Sequence, residues 1–138
     1  MNRPINFIVD ESDNHPTYDN VNVTNLNNVI NGYLPNIVCD CLDKIPFSAR
    51  HGIFFEIINK LAYNGEAVFK MINGTIMSNR IQKNEISCDK LSEIIDPIKS
   101  IWTDYLINDL FNQLPNIKIQ KYYHENVYTI ISVVKTHE

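Results

Sequence analysis

The chain predicts a single α/β domain: a mostly parallel sheet with covering helices that ends in an antiparallel hairpin. Three observations carry this. Residues 36–42 and 66–72 are short, nearly continuous apolar runs, and between them Ile53, Phe54, Ile57, Ile58 and Leu61 recur at helical spacing. From Cys88 to Leu114 the apolar residues keep a helical period, and the last stretch alternates over 117–123 and 127–134. With 138 residues, 44% of them hydrophobic, the chain is long enough for one core and too short for two ordinary domains.

In chain order, Ile5-Asn6-Phe7-Ile8-Val9 reads as a strand that stops at an acidic loop, Asp10-Glu11-Ser12-Asp13-Asn14, followed by Pro16. Val21-Asn22-Val23 is a weaker second strand, and residues 25–32 suit a short helix or turn before Pro35. The run 36–42 is apolar around one acid, Asp40, as expected of a parallel strand buried on both faces. Ser48 is the expected N-cap of the next helix, and Asn64-Gly65 its expected stop. Residues 66–72 form the following strand, with Lys70 as its only cation. A right-handed strand–helix–strand crossover then places Asp40 and Lys70 near the carboxyl ends of parallel strands.

In the long helical stretch, Leu91, Ile94, Ile95, Ile98, Ile101, Trp102, Tyr105, Leu106, Leu110 and Phe111 form one apolar stripe, expected in the core. Asp96-Pro97 interrupts it, which fits either one sharp kink or two helices with Asp96 as N-cap and Pro97 in the first turn of the second. The closing hairpin turns at His124-Glu125-Asn126. There is no internal repeat and no low-complexity linker.

No apolar run approaches the roughly 20 residues needed to span a bilayer. Met1-Asn2-Arg3-Pro4 does not open a secretory signal, so the cytoplasm is the expected compartment. Three cysteines, Cys39, Cys41 and Cys88, without a CxxC pair argue against a disulfide framework or structural zinc. Cys39 and Cys41 fall on one face of a buried strand, where small thiols are ordinarily core. The histidines His15, His51, His124 and His137 show no metal-ligand spacing. The net charge of −4 argues against tight non-specific binding of nucleic acid, though not against RNA held locally or through a basic partner. Tyr122 and Tyr123 beside Lys118 and Lys121 suit either base stacking or a hairpin face packed on helices. The abundance of Asn and Ile suggests an AT-rich genome such as a virus's.

The order of elements resembles the Rossmann-like class I S-adenosylmethionine-dependent methyltransferases from their second strand onward, with helices on both faces of the sheet. Residues 36–72 carry most of the match, and Leu61-Ala62-Tyr63-Asn64-Gly65-Glu66-Ala67-Val68-Phe69 is similar to the family's L-x-x-G-G turn into its fifth strand. A lysine on that strand is similar to the RNA ribose 2'-O-methyltransferases, the FtsJ-like and coronavirus cap enzymes, which use a Lys-Asp-Lys-Glu tetrad. The resemblance implies catalytic roles for Asp40, Lys70 and Glu125. It also implies S-adenosylmethionine as cofactor, held by Asp10, Asp13, Asn25 and Cys41. A ribose 2'-hydroxyl attacking the sulfonium methyl must lose its proton; Lys70 would take it, with Asp40 and Glu125 orienting the amine, and no metal is implied. The bland alternatives are a strand-end acid at Asp40, a snorkelling cation at Lys70, and solvated carboxylates at Glu125, Asp10 and Asp13.

The family's first strand and Gly-rich loop have no counterpart, since the only glycines are Gly32, Gly52, Gly65 and Gly74, and only Arg3 stands where the first tetrad lysine belongs. The resemblance therefore implies an N-terminally truncated fold, either a fragment or a degenerate relative. It further implies an exposed sheet edge covered by self-association or a protein partner. Two rival functions stay open: a non-catalytic scaffold that kept the fold, and a small-molecule methyltransferase in which Lys70 is incidental.

Overall fold

The computed structural model describes residues 4–9, 14–46, 48–96, 98 and 101–136. Strands β1 (Ile5–Ile8), β2 (Asp19–Asn22) and β3 (Leu34–Cys39) are followed by helix α1 (Arg50–Lys60) and the long strand β4 (Leu61–Ile72). Helices α2 (Gly74–Gln82), α3 (Cys88–Ile95) and α4 (Asp104–Asn112) precede the hairpin strands β5 (Ile117–Glu125) and β6 (Tyr128–Lys135). They build one six-stranded sheet in the order β2-β1-β3-β4-β6-β5. The first four strands in that order run parallel, and β6 and β5 complete the sheet antiparallel.

The register brings one residue of each strand into line across the sheet. Phe7 lies opposite Cys39, Cys39 opposite Phe69, Phe69 opposite Ile131, and Ile131 opposite Tyr122. This face carries the main core, because α1 and α4 cover it. Phe54 of α1, Phe69 of β4 and Phe111 of α4 form a triangle with ring centroids 4.9–5.8 Å apart, two of the three pairs edge-on. Around it are packed Phe7, Ile37, Ile57, Ile58, Met71, Trp102, Ile107 and Val133, all buried. A smaller cluster on the other face joins Ile72 and Val127 to Met77 of α2 and to Leu91 and Ile94 of α3. Val38, Val68 and Val134 on that second face are only partly buried, so cover there is concentrated at the carboxyl end of β4.

Several local expectations are corrected. Ser48 does not cap α1; the N-cap is Ala49, which makes no side-chain cap bond. Nor does α1 run on to Asn64-Gly65: Lys60 is its last residue, and Leu61 already pairs with Leu34 of β3. Asn64 and Gly65 instead form a bulge inside β4, because the next aligned pair is Asn36 with Glu66. Asn64 adopts φ +61°, and a Cβ on Gly65 would stand 2.8 Å from the Ala62 carbonyl and 3.1 Å from that of Pro35. Only glycine permits that approach.

Helix α2 starts because the Asn73 side chain accepts from the amides of Thr75 and Ile76. Asp96 ends α3 rather than capping a new helix, and Pro97 lies outside the described residues. Thr103 caps α4 instead, its hydroxyl accepting from the Leu106 amide at 3.3 Å. The stripe expected to be wholly core is mixed: Trp102, Leu110 and Phe111 are buried, while Ile95, Ile101 and Tyr105 are exposed. The hairpin is tighter than read, since Glu125 pairs with Tyr128 around a two-residue loop in which Asn126 takes φ +54°. Both sides of β1 are paired, by β2 and β3, and the sheet ends at β2 and β5. No helix of the described residues is long and apolar enough to cross a membrane.

Replacing Phe69 by Ala should cost about 3–5 kcal/mol, because three aromatic rings lose their common contact. The exposed Tyr105→Ala should stay within about 0.5 kcal/mol of the parent. Urea denaturation of both variants checks the assignment of core and surface.

Candidate functional site

A cleft of 420 Å³ opens at the carboxyl ends of β3 and β4. Its position follows from the register. Cys39, the last residue of β3, lies opposite Phe69, so the next residues of the two chains, Asp40 and Lys70, come side by side. Both line the cleft. Lys90, Glu93 and Ile94 of α3, with Ile98, form a second wall, and Tyr128, the first residue of β6, forms a third. Asp40 is exposed and Lys70 half-buried, with its ammonium nitrogen 4.5 Å from the centre of the Tyr128 ring. Lys90 and Glu93 pair at 3.8 Å on the exposed side of α3, which leaves both reachable from solvent.

The most perturbed group in the cleft is Asp43, which sequence reasoning missed. It sits in the 3₁₀ turn Leu42–Lys44 between two buried apolar residues, Leu42 and Ile45, and is itself 4% exposed. Burial pushes its carboxyl up from 3.8 to about 6, against the opposing pull of the Ile72 amide and of Lys44. The Ile72 N–H donates to Oδ2 at 3.2 Å, which ties the turn to the end of β4. Tyr128 is affected in the same direction, its hydroxyl raised first by burial and then by Asp43, with Lys44 opposing. An acid flanked by Leu42 and Ile45, three residues after Asp40, was the available signal.

The other expected site residues are dispersed. Cys41 is fully buried; its thiol donates to the Phe7 carbonyl at 3.3 Å and lies 3.8 Å from the Cys39 sulfur, as the shared face required. Asn25 is exposed on the 3₁₀ segment Val23–Asn28, whose cap is Asn22. Glu125 is exposed opposite Tyr128 on the same sheet face, and does not line the cleft. Asp10 and Asp13 lie outside the described residues. The structure thus brings Asp40 and Lys70 together, adds Asp43, Lys44 and Tyr128, and leaves Glu125, Asn25 and Cys41 elsewhere. A second cavity of 650 Å³ continues from the first, sharing Lys90, Ile94 and Tyr128 and adding Arg80, Ser87 and Asn126. Tyr122 is half-buried with its hydroxyl on Asp104, whereas Tyr123, Lys118 and Lys121 are exposed on β5. Among the described residues no His, Cys, Asp or Glu cluster is placed to hold a metal ion.

No protein-family model matches the sequence, and no curated protein matches it either. Solved structures do match in fold. A SAM-dependent methyltransferase from Archaeoglobus fulgidus superposes with a TM-score of 0.66 at 9% identity, over 97% of this chain and 86% of that one. Another from Mesorhizobium loti gives 0.62 at 10% identity, over 96% and 90%. One from Thermotoga maritima gives 0.62 at 11% identity, over 98% and 83%. The chain therefore has the Rossmann-like methyltransferase-type fold, with its mostly parallel sheet, helices on both faces and C-terminal antiparallel hairpin.

The raised carboxyl of Asp43 has a thermodynamic signature. Between pH 3.8 and about 6 the folded chain holds a proton that the unfolded chain has released, so this contribution to stability is full at low pH and lost as pH rises through about 6. Asp43→Asn removes the titration. Relative to the parent, the variant should gain about 2–3 kcal/mol on going from pH 4 to pH 7. Parallel denaturation curves at the two pH values measure it.

Proposed function

We propose that the chain is an S-adenosylmethionine-dependent methyltransferase domain that methylates a hydroxyl group in the Asp40–Asp43–Lys70 cleft. One observation carries this reading: in a fold shared with SAM-dependent methyltransferases, two carboxylates and a lysine meet at the carboxyl ends of neighbouring parallel strands. Open α/β sheets present their ligand crevice at that end.

The residues suit the cofactor through side chains. Asp40 and Asp43 offer negative charge to a sulfonium, and Ile94, Ile98 and Tyr128 give the cleft an apolar wall. When bound, S-adenosylmethionine supplies a methyl group on positively charged sulfur. The chain's own residues handle the acceptor. Asp43, ionised above about pH 6 and still of raised basicity, can take the hydroxyl proton. Lys70, held against Tyr128, can steady the oxygen that loses it.

Within this class we propose an RNA ribose 2'-hydroxyl as the acceptor. The side-by-side Asp40 and Lys70 support it, and Asp43 supplies in the cleft the further carboxylate that the resemblance had assigned to Glu125. Lys44 and Lys90 on the cleft walls add positive charge suited to a phosphodiester. A second reading, a scaffold without catalysis, is favoured by the glycines. Gly32 and Gly65 lie at the amino ends of β3 and β4, Gly52 lies in α1 and Gly74 opens α2, so none follows β1 or β3 among the described residues.

Calorimetric titration with S-adenosylmethionine and S-adenosylhomocysteine separates the two. Saturable binding is expected, with methyl transfer to a short RNA. Lys70→Ala should lower transfer by about 10²-fold or more while leaving cofactor affinity within about threefold. Absence of any binding rejects the enzyme and leaves the scaffold.

A further inference from the structure

The opposite end of the sheet holds a third cavity, which shares no lining residue with the other two. It measures 440 Å³ and is lined by Asn31 and Gly32 before β3, Asn59 near the end of α1, Tyr63 at the start of β4, and Lys135 at the end of β6. Because β6 runs antiparallel to β4, its last residue meets the amino end of β4, where Leu61 and Tyr63 lie.

Lys135 is the unusual member. It is 6% exposed, and its ammonium donates to the Leu61 carbonyl at 2.9 Å. An ammonium carries three N–H donors, and among the described residues no carboxylate pairs with this one. The other buried lysine nearby, Lys60, does have a counter-ion, Glu56 at 3.7 Å. A buried cation without a counter-ion is costly unless something neutralises it.

Three acceptors around the cavity are already engaged. The Asn59 carbonyl is taken by the Gly32 amide at 2.8 Å and the Lys60 carbonyl by the Tyr33 amide at 3.1 Å. The side-chain oxygen of Asn31 is taken by Lys60 at 2.7 Å, which leaves the amide nitrogen as its other end. The cavity wall therefore offers the Lys135 ammonium, the Asn31 and Asn59 amides and the Tyr63 hydroxyl, with the exposed Tyr63 ring at the rim.

We infer that this cavity is a binding site for a small organic oxyanion, a carboxylate or a phosphate, whose oxygens meet Lys135, Asn31 and Asn59 and whose apolar part lies on Tyr63. The volume exceeds what an isolated inorganic ion would fill, and the donor set matches several oxygens at once.

The test uses the full chain and two probes, phenyl phosphate and benzoate, titrated at constant ionic strength. The readout is the NMR shifts of the Asn31 and Asn59 side-chain amides and of the Gly32 backbone amide. Saturable shifts with either probe are expected, and the tighter probe identifies the anionic group. Lys135→Met should weaken binding about tenfold or more. Asn59→Asp leaves the buried ammonium in place and, by setting a negative charge on the wall, should weaken it at least as much. Lys121→Ala, a charge change on the distant face of β5, should leave it unchanged. Shifts that stay linear in probe concentration, or that persist in Asn59→Asp, overturn the proposal.

Discussion

The rest of this structure depends on the double pairing of β4. This one strand is bonded in parallel to β3 along one edge and antiparallel to β6 along the other. A strand held on both edges cannot slip by one residue without moving every side chain to the opposite face. That constraint sends Phe69 and Met71 into the aromatic core and Lys70 to the other face, next to Asp40. The core and the candidate site are thus two faces of the same register, and neither can shift alone.

The end of β4 is secured by polar bonds. Asn73 is fully buried, and its amide nitrogen donates to Asp104 at 2.8 Å and to the Thr129 hydroxyl at 2.9 Å. Its backbone amide donates to the Val127 carbonyl, and Gly74 donates to that of Trp102. Tyr122 brings its hydroxyl to Asp104 from β5, and burial with that carboxylate raises it well above the usual phenol range. One asparagine thereby joins α2, α4 and β6, with β5 tied in through Asp104. Every polar atom of its side chain is satisfied, which is the condition under which a buried amide can specify a fold.

The two ends of the sheet are chemically opposite. At the carboxyl ends of the parallel strands, Asp40 and Asp43 stand near Lys44, Lys70 and Lys90, and burial is what separates the acids: Asp40 remains exposed while Asp43 is drawn toward neutrality. At the amino ends, backbone carbonyls and the Asn31 side-chain oxygen are engaged around a buried ammonium that no carboxylate pairs with among the described residues.

Much of the architecture was legible in the sequence because it rests on period. The buried strand before Asp40, the helix carrying Phe54 and Ile57, the strand carrying Lys70 and the final hairpin all declare themselves by spacing. The crossover set Asp40 and Lys70 near the carboxyl ends of parallel strands, and the register of β3 with β4 brought them side by side. Tertiary contacts decided the rest. Asn64-Gly65 reads locally as a helix stop and becomes a bulge, because pairing of Leu61 with Leu34 outweighs the local signal. Asn73 becomes the cap of α2 and is buried among Asp104 and Thr129, partners that other segments bring to it. Glu125 and Asp43 exchange places for the same reason: burial depends on what other segments bring to a carboxylate, and one chain's order of residues does not state it.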